Sequence, residues 1–417
     1  MKQQGAKSNT STLAIIFLTA FLDMLGLGII IPIMPALFFN GDSIFFEMLA
    51  SKELRSIIFG LLLGAYPVMQ FFGAPVLGAL SDRYGRKPVL LFSVLIALFG
   101  YILFAYAVTS GQLWLLFLSR AIPGFAGGNI AVLMSSVSDL STPESKTRNF
   151  GLISMAFGLG FILGPSLGGI LADHEMVSWF SYAMPFWITA GLTLVNLVLI
   201  YFIFPETIKV RRTTPISPFT GIKNLAKAFT IPDIRSILMV VLLMALGFTF
   251  YTQFFSVYLI EHFQYSTREI GLLYGWIGVW LVITQGGIVR YLSYRVAPEH
   301  LIKYALLAVS LIIFILLLPD KPSWYYLINP MLAIAFGITS PNLLTLVSGL
   351  AGEDRQGEIL GINQSMQSLG RALPPIIGGF IQVLSTDAPI IVAGILVLVG
   401  WLIFMAVLKK RHRANEK

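Results

Sequence analysis

Three charged side chains stand inside otherwise apolar stretches of this 417-residue chain: Asp23, Arg120 and Arg371. A charge in hydrocarbon is costly, so such residues face a water-filled cavity or a partner of opposite sign, and they mark proton relays and ligand sites. A lone carboxyl can take up and return a proton; a guanidinium can hold a carboxylate or another anion. No richer chemistry competes with this. The chain has no cysteine, which removes thiolate ligands, thiol nucleophiles and disulfides. Its four histidines, His174, His262, His300 and His412, fall in loops, at the ends of apolar stretches or in the tail, so they build neither a metal cluster nor a buried catalytic base. There is no glycine-rich nucleotide-binding loop. No metal and no cofactor are expected, and the chain does not read as an enzyme.

The elements that position these charges follow from composition. With 56 % hydrophobic and 12 % charged residues, the chain is too apolar for a water-soluble fold, and its natural solvent is lipid. Stretches of about 20 apolar residues, enough to cross a bilayer, recur at 13–37, 56–80, 88–108, 112–138, 148–172 and 184–204. Six more follow at 236–260, 268–290, 300–319, 324–349, 357–384 and 388–408. The first has no small-residue cleavage site and is long enough to span, so it is expected to stay as a helix. The net charge of +8 could indicate a nucleic-acid partner, but no soluble basic face exists to carry one. Topology explains it instead. With the N-terminus placed in the cytoplasm, only Lys52, Arg55, Arg268 and Lys321 of the 28 Lys and Arg fall in external loops; Arg120 and Arg371 fall in spans, and the rest are cytoplasmic.

Residues 205–235, with Pro205, Pro215, Pro218 and Pro232 and the cations Lys209, Arg211, Arg212, Lys223 and Lys227, form a polar cytoplasmic linker with a short surface helix near Gly221 to Phe229. The expected organisation is a six-helix bundle over 1–204, the linker over 205–235, and a second bundle with a basic cytoplasmic tail over 236–417. The halves are related. Gly151, Gly160, Pro165, Gly168 and Gly169 recur 210 residues later as Gly361, Gly370, Pro375, Gly378 and Gly379. Such parallel repeats describe two bundles that rock about a site near the bilayer midplane. Depth brings two of the charges together: Asp23 lies about 15 Å from the cytoplasmic end of its helix and Arg120 about 18 Å from the same face.

Local motifs carry a family resemblance. The loop after the second span reads Gly78, Ala79, Leu80, Ser81, Asp82, Arg83, Tyr84, Gly85, Arg86, Lys87. The first span has Leu25-Gly26 followed after five residues by Pro32-Ile33-Met34-Pro35; the fourth has Arg120, Gly124, Gly127, Gly128; the fifth has Gly151, Gly160, Gly164-Pro165 and Gly168-Gly169. With Leu22, Asp23, Met24, Leu25, Gly26, Leu27 and Gly28, these resemble the major facilitator superfamily, in its twelve-spanning drug/proton antiporter branch that includes tetracycline exporters. The resemblance covers most of the first half and thins after the linker. It implies an all-α integral membrane fold, twelve transmembrane helices in two pseudo-symmetric six-helix bundles, in which the first and fourth helices line one cavity.

The resemblance also implies a function: proton-coupled export of small amphiphilic, drug-like molecules by alternating access, by a monomer in a bacterial inner membrane with both termini cytoplasmic. Its partners are substrate, protons and the lipid bilayer. Export of one dedicated metabolite such as a siderophore, or lipid flipping, remains an alternative. Asp23 and Arg120 are the expected proton-coupling pair, with a structural salt bridge as the other reading. Gly78, Asp82, Arg83, Gly85, Arg86 and Lys87, with Asp139 as partner, form the expected latch of the outward-facing state; the cations alone could instead be topology determinants. Gly151, Gly160, Gly164, Pro165, Gly168 and Gly169 match the antiporter motif, which physically is a small-residue packing stripe. Candidates for the substrate cavity are Gln70, Asn129, Tyr251, Gln253, Trp276, Trp280, Gln285, Asn363, Gln364, Gln367 and Arg371. Arg371 has no acidic residue in the second-half spans and is expected to bond to backbone carbonyls or to receive an anionic substrate group. The chain departs from tetracycline exporters at Leu281, where they place a histidine, which points away from tetracycline itself. The second half's counterpart of the charged loop keeps Arg290 and Arg295 but has no aspartate between them.

Overall fold

Hydrocarbon offers no partner for backbone N–H and C=O groups, so a chain that crosses it must satisfy them internally. The computed structural model does so with helices; it describes residues 2–208, 211, 216–350 and 356–415, and Lys209, Arg212 and Pro215 of the linker lie outside these. Among the described residues twelve long helices follow one another. The first six are α1 (Lys2–Phe39), α2 (Lys52–Tyr84), α3 (Arg86–Ser110), α4 (Leu113–Leu140), α5 (Pro143–Leu171) and α6 (Met184–Ile203). The second six are α7 (Pro232–Phe263), α8 (Thr267–Ser293), α9 (Pro298–Ile315), α10 (Tyr325–Leu350), α11 (Gln356–Gln382) and α12 (Ala388–Asn415). The chain is a multi-pass membrane protein.

Eleven of these helices are long and apolar enough to cross a bilayer by composition alone. The exception, α11, carries Asn363, Gln364, Gln367 and Arg371, yet its 27 residues are ample for a crossing. Its polar side chains are turned away from an exposed apolar stripe of Leu373, Ile377 and Phe380. Two helices are locally rewound: α4 by a single 3-10 turn at Gly127–Asn129, and α8 by a π turn at Thr284–Ile288. Such irregularities concentrate at functional sites, and here they fall on Asn129 and Gln285.

Twelve crossings put the start of α1 and the end of α12 on one face, called here the terminal face; the other is the distal face. Near the distal face the halves are in direct backbone contact. A Cβ on Gly60 of α2 would lie 2.7 Å from the Cα of Gly379 in α11, and one on Gly169 of α5 would lie 2.7 Å from the Thr267 carbonyl in α8. Phe59 of α2 closes the same end, with its ring 5.4 Å from Phe39 and 5.8 Å from Phe254 of α7. Two rim ion pairs join the halves above it, Lys52 to Glu261 at 2.6 Å and Arg268 to Asp173 at 3.5 Å. Lys52 and Arg268 are about half exposed, so each pair contributes about 0.2–1 kcal/mol. The glycine contacts and the aromatic cluster therefore carry the closure.

Toward the terminal face the halves part. Along the α5–α8 crossing, Ile162 still presses on Gly278, Gly158 meets only Val282 at 3.3 Å, and Gly151 and Gly286 have nothing within 4 Å. Between α2 and α11 the space is taken by a linker helix, Thr220–Thr230. Its Gly221 fits under the Phe71 ring of α2, and its Asn224 Nδ2 donates to Ser365 Oγ of α11 at 3.3 Å. The molecule is a V, closed at the distal face and open at the terminal one.

A side chain at the closed crossing should pry it apart. Gly60→Val is expected to cost about 1–3 kcal/mol of stability by overpacking and to expose Ser56, which is fully buried here. Because the native chain has no cysteine, a Ser56→Cys reporter should turn from unreactive to reactive toward a membrane-impermeant maleimide when combined with Gly60→Val. Gly151→Val, in open space, should leave the reporter unreactive.

Candidate functional site

The packing of α1 on α5 fixes Asp23. Gly160 lets α5 approach until a Cβ there would be 2.6 Å from the Cβ of Met24, and Gly28 and Gly164 bring the two backbones together a turn further on. From the other side, Gly100 of α3 admits Pro123 of α4, which sets Arg120 and the rewound turn carrying Asn129 against α1. The result is an enclosed pocket of about 20 Å³, lined by Asp23, Tyr66, Tyr101, Ser119, Arg120 and Asn129 among others. That is room for about one water molecule.

Asp23 and Arg120 share this pocket without forming the expected ion pair. The Asp23 carboxyl lies beside the Asn129 amide in the pocket lining, while the Arg120 guanidinium lies over the Tyr66 ring, 4.7 Å from its centre. Each charge has thus taken a neutral neighbour. Three polar atoms of the pocket, Asp23 Oδ2, Arg120 Nε and Asn129 Oδ1, are buried without a hydrogen-bond partner in the protein. Buried polar atoms are nearly always satisfied, so three in one pocket identify a site with spare bonding capacity. Tyr66 and Tyr101 escaped the sequence reading; the available signal was a phenol within an apolar span, which is also what ordinary packing looks like.

The remaining cavity candidates separate into groups. Gln285, Gln364 and Arg371 are exposed at the open mouth: Gln285 continues the α5-facing row of Gly271, Gly275, Gly278 and Val282, and Gln364 and Arg371 share one face of α11. Arg371 makes no bond to a backbone carbonyl, contrary to expectation, because the V opens beside it. Asn363 and Gln367 line a second-half pocket of about 60 Å³ with Met244 and Phe336, and Gln253 is half-buried on α7. The others do structural work. Gln70 Nε2 donates to the Gly127 carbonyl at 2.9 Å, satisfying the rewound turn of α4. Tyr251 is buried and donates to Asn329. Trp280 packs against the core. Trp276 stands in the outward row Leu272, Trp276, Val279, Ile283, with its indole donating to the Tyr326 carbonyl at 2.9 Å. Spacing alone could not tell the mouth-facing row of α8 from this outward one a residue away.

The charged loop is organised around Arg86, which is buried and bonded to Asp82 at 2.7 Å, to Asp139 at 3.1 Å and to Ser81 at 2.6 Å. Arg83 and Lys87 form no ion pair among the described residues; Arg83 lies over the Tyr84 ring. All these partners belong to the first half, so in this conformation the cluster braces one bundle and does not bridge two. Gly85 is needed for its left-handed backbone, φ +112°, whereas Gly78 has room for a side chain. Glu206, just after α6, is the partner that sequence reading missed. Its carboxylate accepts from the backbone N–H of Arg86 at 2.8 Å and of Lys87 at 3.3 Å. The signal was indirect: α3 opens on two cations with only glycine before it, against the helix dipole and without its own cap, so a carboxylate has to come from elsewhere.

The repeated motif serves the same two contacts in each half. Gly160 and Gly370 receive the first helix of their own bundle, α1 and α7, while Gly169 and Gly379 meet the opposite bundle. Residues 16–375 match the Major Facilitator Superfamily profile. The chain belongs to this superfamily. Among relatives of this facilitator, the tetracycline resistance protein, class C, of Escherichia coli is 31 % identical over 89 % of each chain. Multidrug resistance protein 2 of Bacillus subtilis (strain 168) is 26 % identical over 97 % of each. The crystal structure of the human organic anion transporter MFSD10 (TETRAN) superposes with a TM-score of 0.70 at 23 % identity, covering 95 % of this chain and 99 % of that one, which is a likeness of fold.

Three substitutions at two positions probe the brace of this facilitator. Glu206→Ala should cost about 1 kcal/mol, the usual worth of a helix cap, and Glu206→Gln, which keeps an acceptor oxygen, distinctly less. Arg86→Met should cost about 1.5–3 kcal/mol, since charge-assisted bonds to Asp82 and Asp139 are lost together. Thermal midpoints in detergent should rank Arg86→Met below Glu206→Ala and Glu206→Ala below Glu206→Gln.

Proposed function

We propose that this facilitator exports small amphiphilic, drug-like molecules in exchange for protons, with Asp23 as the proton carrier and both termini in the cytoplasm. The observation that carries the proposal is the pocket in which a membrane-embedded carboxyl, a guanidinium and an amide each keep an unbonded buried atom. An ionised Asp23 is available to Arg120 only if the cation leaves Tyr66; a protonated Asp23 has no such pull. Proton occupancy therefore sets the position of α1 relative to α4, and α1 lies directly on α5, whose distal end touches the other half. Relatives named for tetracycline and multidrug resistance support the substrate class, and Leu281 in place of a histidine directs attention to substrates other than tetracycline. The distribution of Lys and Arg supports cytoplasmic termini, and on that orientation the V is an inward-facing state ready to load substrate from the cell. Residues 1–204 and 236–417 are then the two rocking bodies and 205–235 the tether, in a transporter that works as a monomer.

A second feature bears on the substrate. Arg371 faces the mouth without a carboxylate among the described residues, beside Gln364, so an anionic or strongly accepting group on the substrate fits there.

Substrate added to proteoliposomes with an imposed pH gradient should trigger proton release in wild type and none in Asp23→Asn; uphill, proton-dependent export by Asp23→Asn would refute the assignment. In the same vesicles, Arg371→Gln should weaken transport of an anionic substrate by about tenfold, the scale of one charge-assisted bond, while sparing its neutral analogue.

A further inference from the structure

The counterpart loops of the two halves differ in how their cations are spent. After α2, Arg86 is fully engaged by Asp82, Asp139 and Ser81. Arg290 stands in the last turn of α8, Arg295 follows in the loop, His300 and Lys303 stand in the first turns of α9, and no aspartate stands in the loop. None of these four has a carboxylate within ion-pair distance among the described residues. Glu299, the nearby acid, has a contact of its own. Arg295 instead lies over the Tyr291 ring at 4.2 Å and Lys303 over the Tyr304 ring at 5.0 Å.

Beside these side chains α9 and α10 fail to close on each other. Leu301, Ala308 and Ile312 face Met331 and Ile338 across a groove of about 670 Å³, and His300 and Tyr304 stand at its terminal-face end. From Leu301 to Ile312 the groove runs about 16 Å along α9, which is the depth of one leaflet of a bilayer about 30 Å thick. An apolar slot one leaflet deep, with Arg295 next in the chain to its lining residue Val296 and the Lys303 ammonium over the ring of its lining residue Tyr304, both at its headgroup end, matches the shape and charge of one class of molecule. We infer that this groove binds an anionic phospholipid of the leaflet at the terminal face, an acyl chain between α9 and α10 and the phosphate on Arg295, His300 and Lys303. A zwitterionic lipid fills the groove equally well but brings its own cation to a cationic rim. The preference should therefore reside in the headgroup and the retention in the chain.

The test uses the purified full-length protein in neutral detergent, with dioleoyl phosphatidylglycerol and dioleoyl phosphatidylcholine offered separately and bound lipid read by native mass spectrometry. The expected result is one retained phosphatidylglycerol, bound at least about tenfold more tightly than phosphatidylcholine, since each cation near the headgroup is worth about fivefold. The double variant Arg295→Gln with Lys303→Gln should bind the two lipids alike. Ala308→Trp, which fills the groove, should lose the retained lipid of either kind; if it does not fold, the smaller Ala308→Leu should lower retention of both. Neutralising Arg83 and Lys87 of the first-half loop should leave the lipid preference unchanged. Equal binding of the two lipids by wild type, an undiminished preference in the double variant, or unchanged retention in the groove-filled variant would each overturn the inference. Because the readout is lipid binding to the isolated protein, it stands or falls separately from proton coupling at Asp23.

Discussion

Contact of bare backbone with bare backbone at two crossings, α5 on α8 and α2 on α11, is the constraint on which the rest of the molecule depends. Helices in lipid gain nothing from hiding apolar surface, since the tails outside are as apolar as the side chains inside, so their association rests on how closely they pack. Gly169 against Gly271 and Gly60 against Gly379 supply that closeness, and only near one face. Beyond those points the paired helices behave as levers that diverge. The gap so produced is where Gln285, Gln364 and Arg371 are exposed.

The closed end is held by shape more than by charge. Lys52–Glu261 and Arg268–Asp173 join the halves conspicuously, but partly exposed pairs contribute little, whereas Phe59 is completely buried among Phe38, Phe39 and Phe254. Weak rim pairs suit a gate that has to open on each cycle, because little is lost when they separate. The Glu261 carboxylate also bonds to Thr386, so it keeps a polar partner within its own half when Lys52 departs.

Much of this was legible in the sequence, for identifiable reasons. Span length and hydropathy fix where helices cross, α11 included although its polar residues leave it short of the apolarity of the others, and the repeat at a constant offset ties it to α5. A rise of about 1.5 Å per residue was enough to put Asp23 and Arg120 at one level. What one dimension could not supply was direction about the helix axis. Trp276 and Gln285 both read as polar or aromatic residues in a span, yet one faces outward and the other the mouth, because the outward and inward rows of α8 are only one residue apart in register. Nor could it show that Arg120 would settle on Tyr66, or that the cap of α3 would be Glu206, 120 residues away. Those depend on which helices become neighbours.

One helix ties the pocket to the crossing. Gly160 of α5 presses on Met24, the residue next to Asp23, and nine residues further along the same helix Gly169 meets α8 of the other half. The two contacts are about 14 Å apart along a rigid element. Pro165 lies between them, its ring against Gly28 of α1 and its carbonyl against Gly271 of α8. A shift of α1 cannot leave α5 in place, because backbone atoms there leave no slack for side chains to absorb the change, and a shift of α5 reaches α8 by the same argument. In the second half, Gly370 and Gly379 of α11 make the corresponding contacts with α7 and with α2, but Ala245 meets Gly370 where Met24 meets Gly160, so the position of Asp23 is taken by Met244, which cannot ionise. The repeat thus supplies two equivalent levers, and only the first has a carboxyl next to its contact with the leading helix.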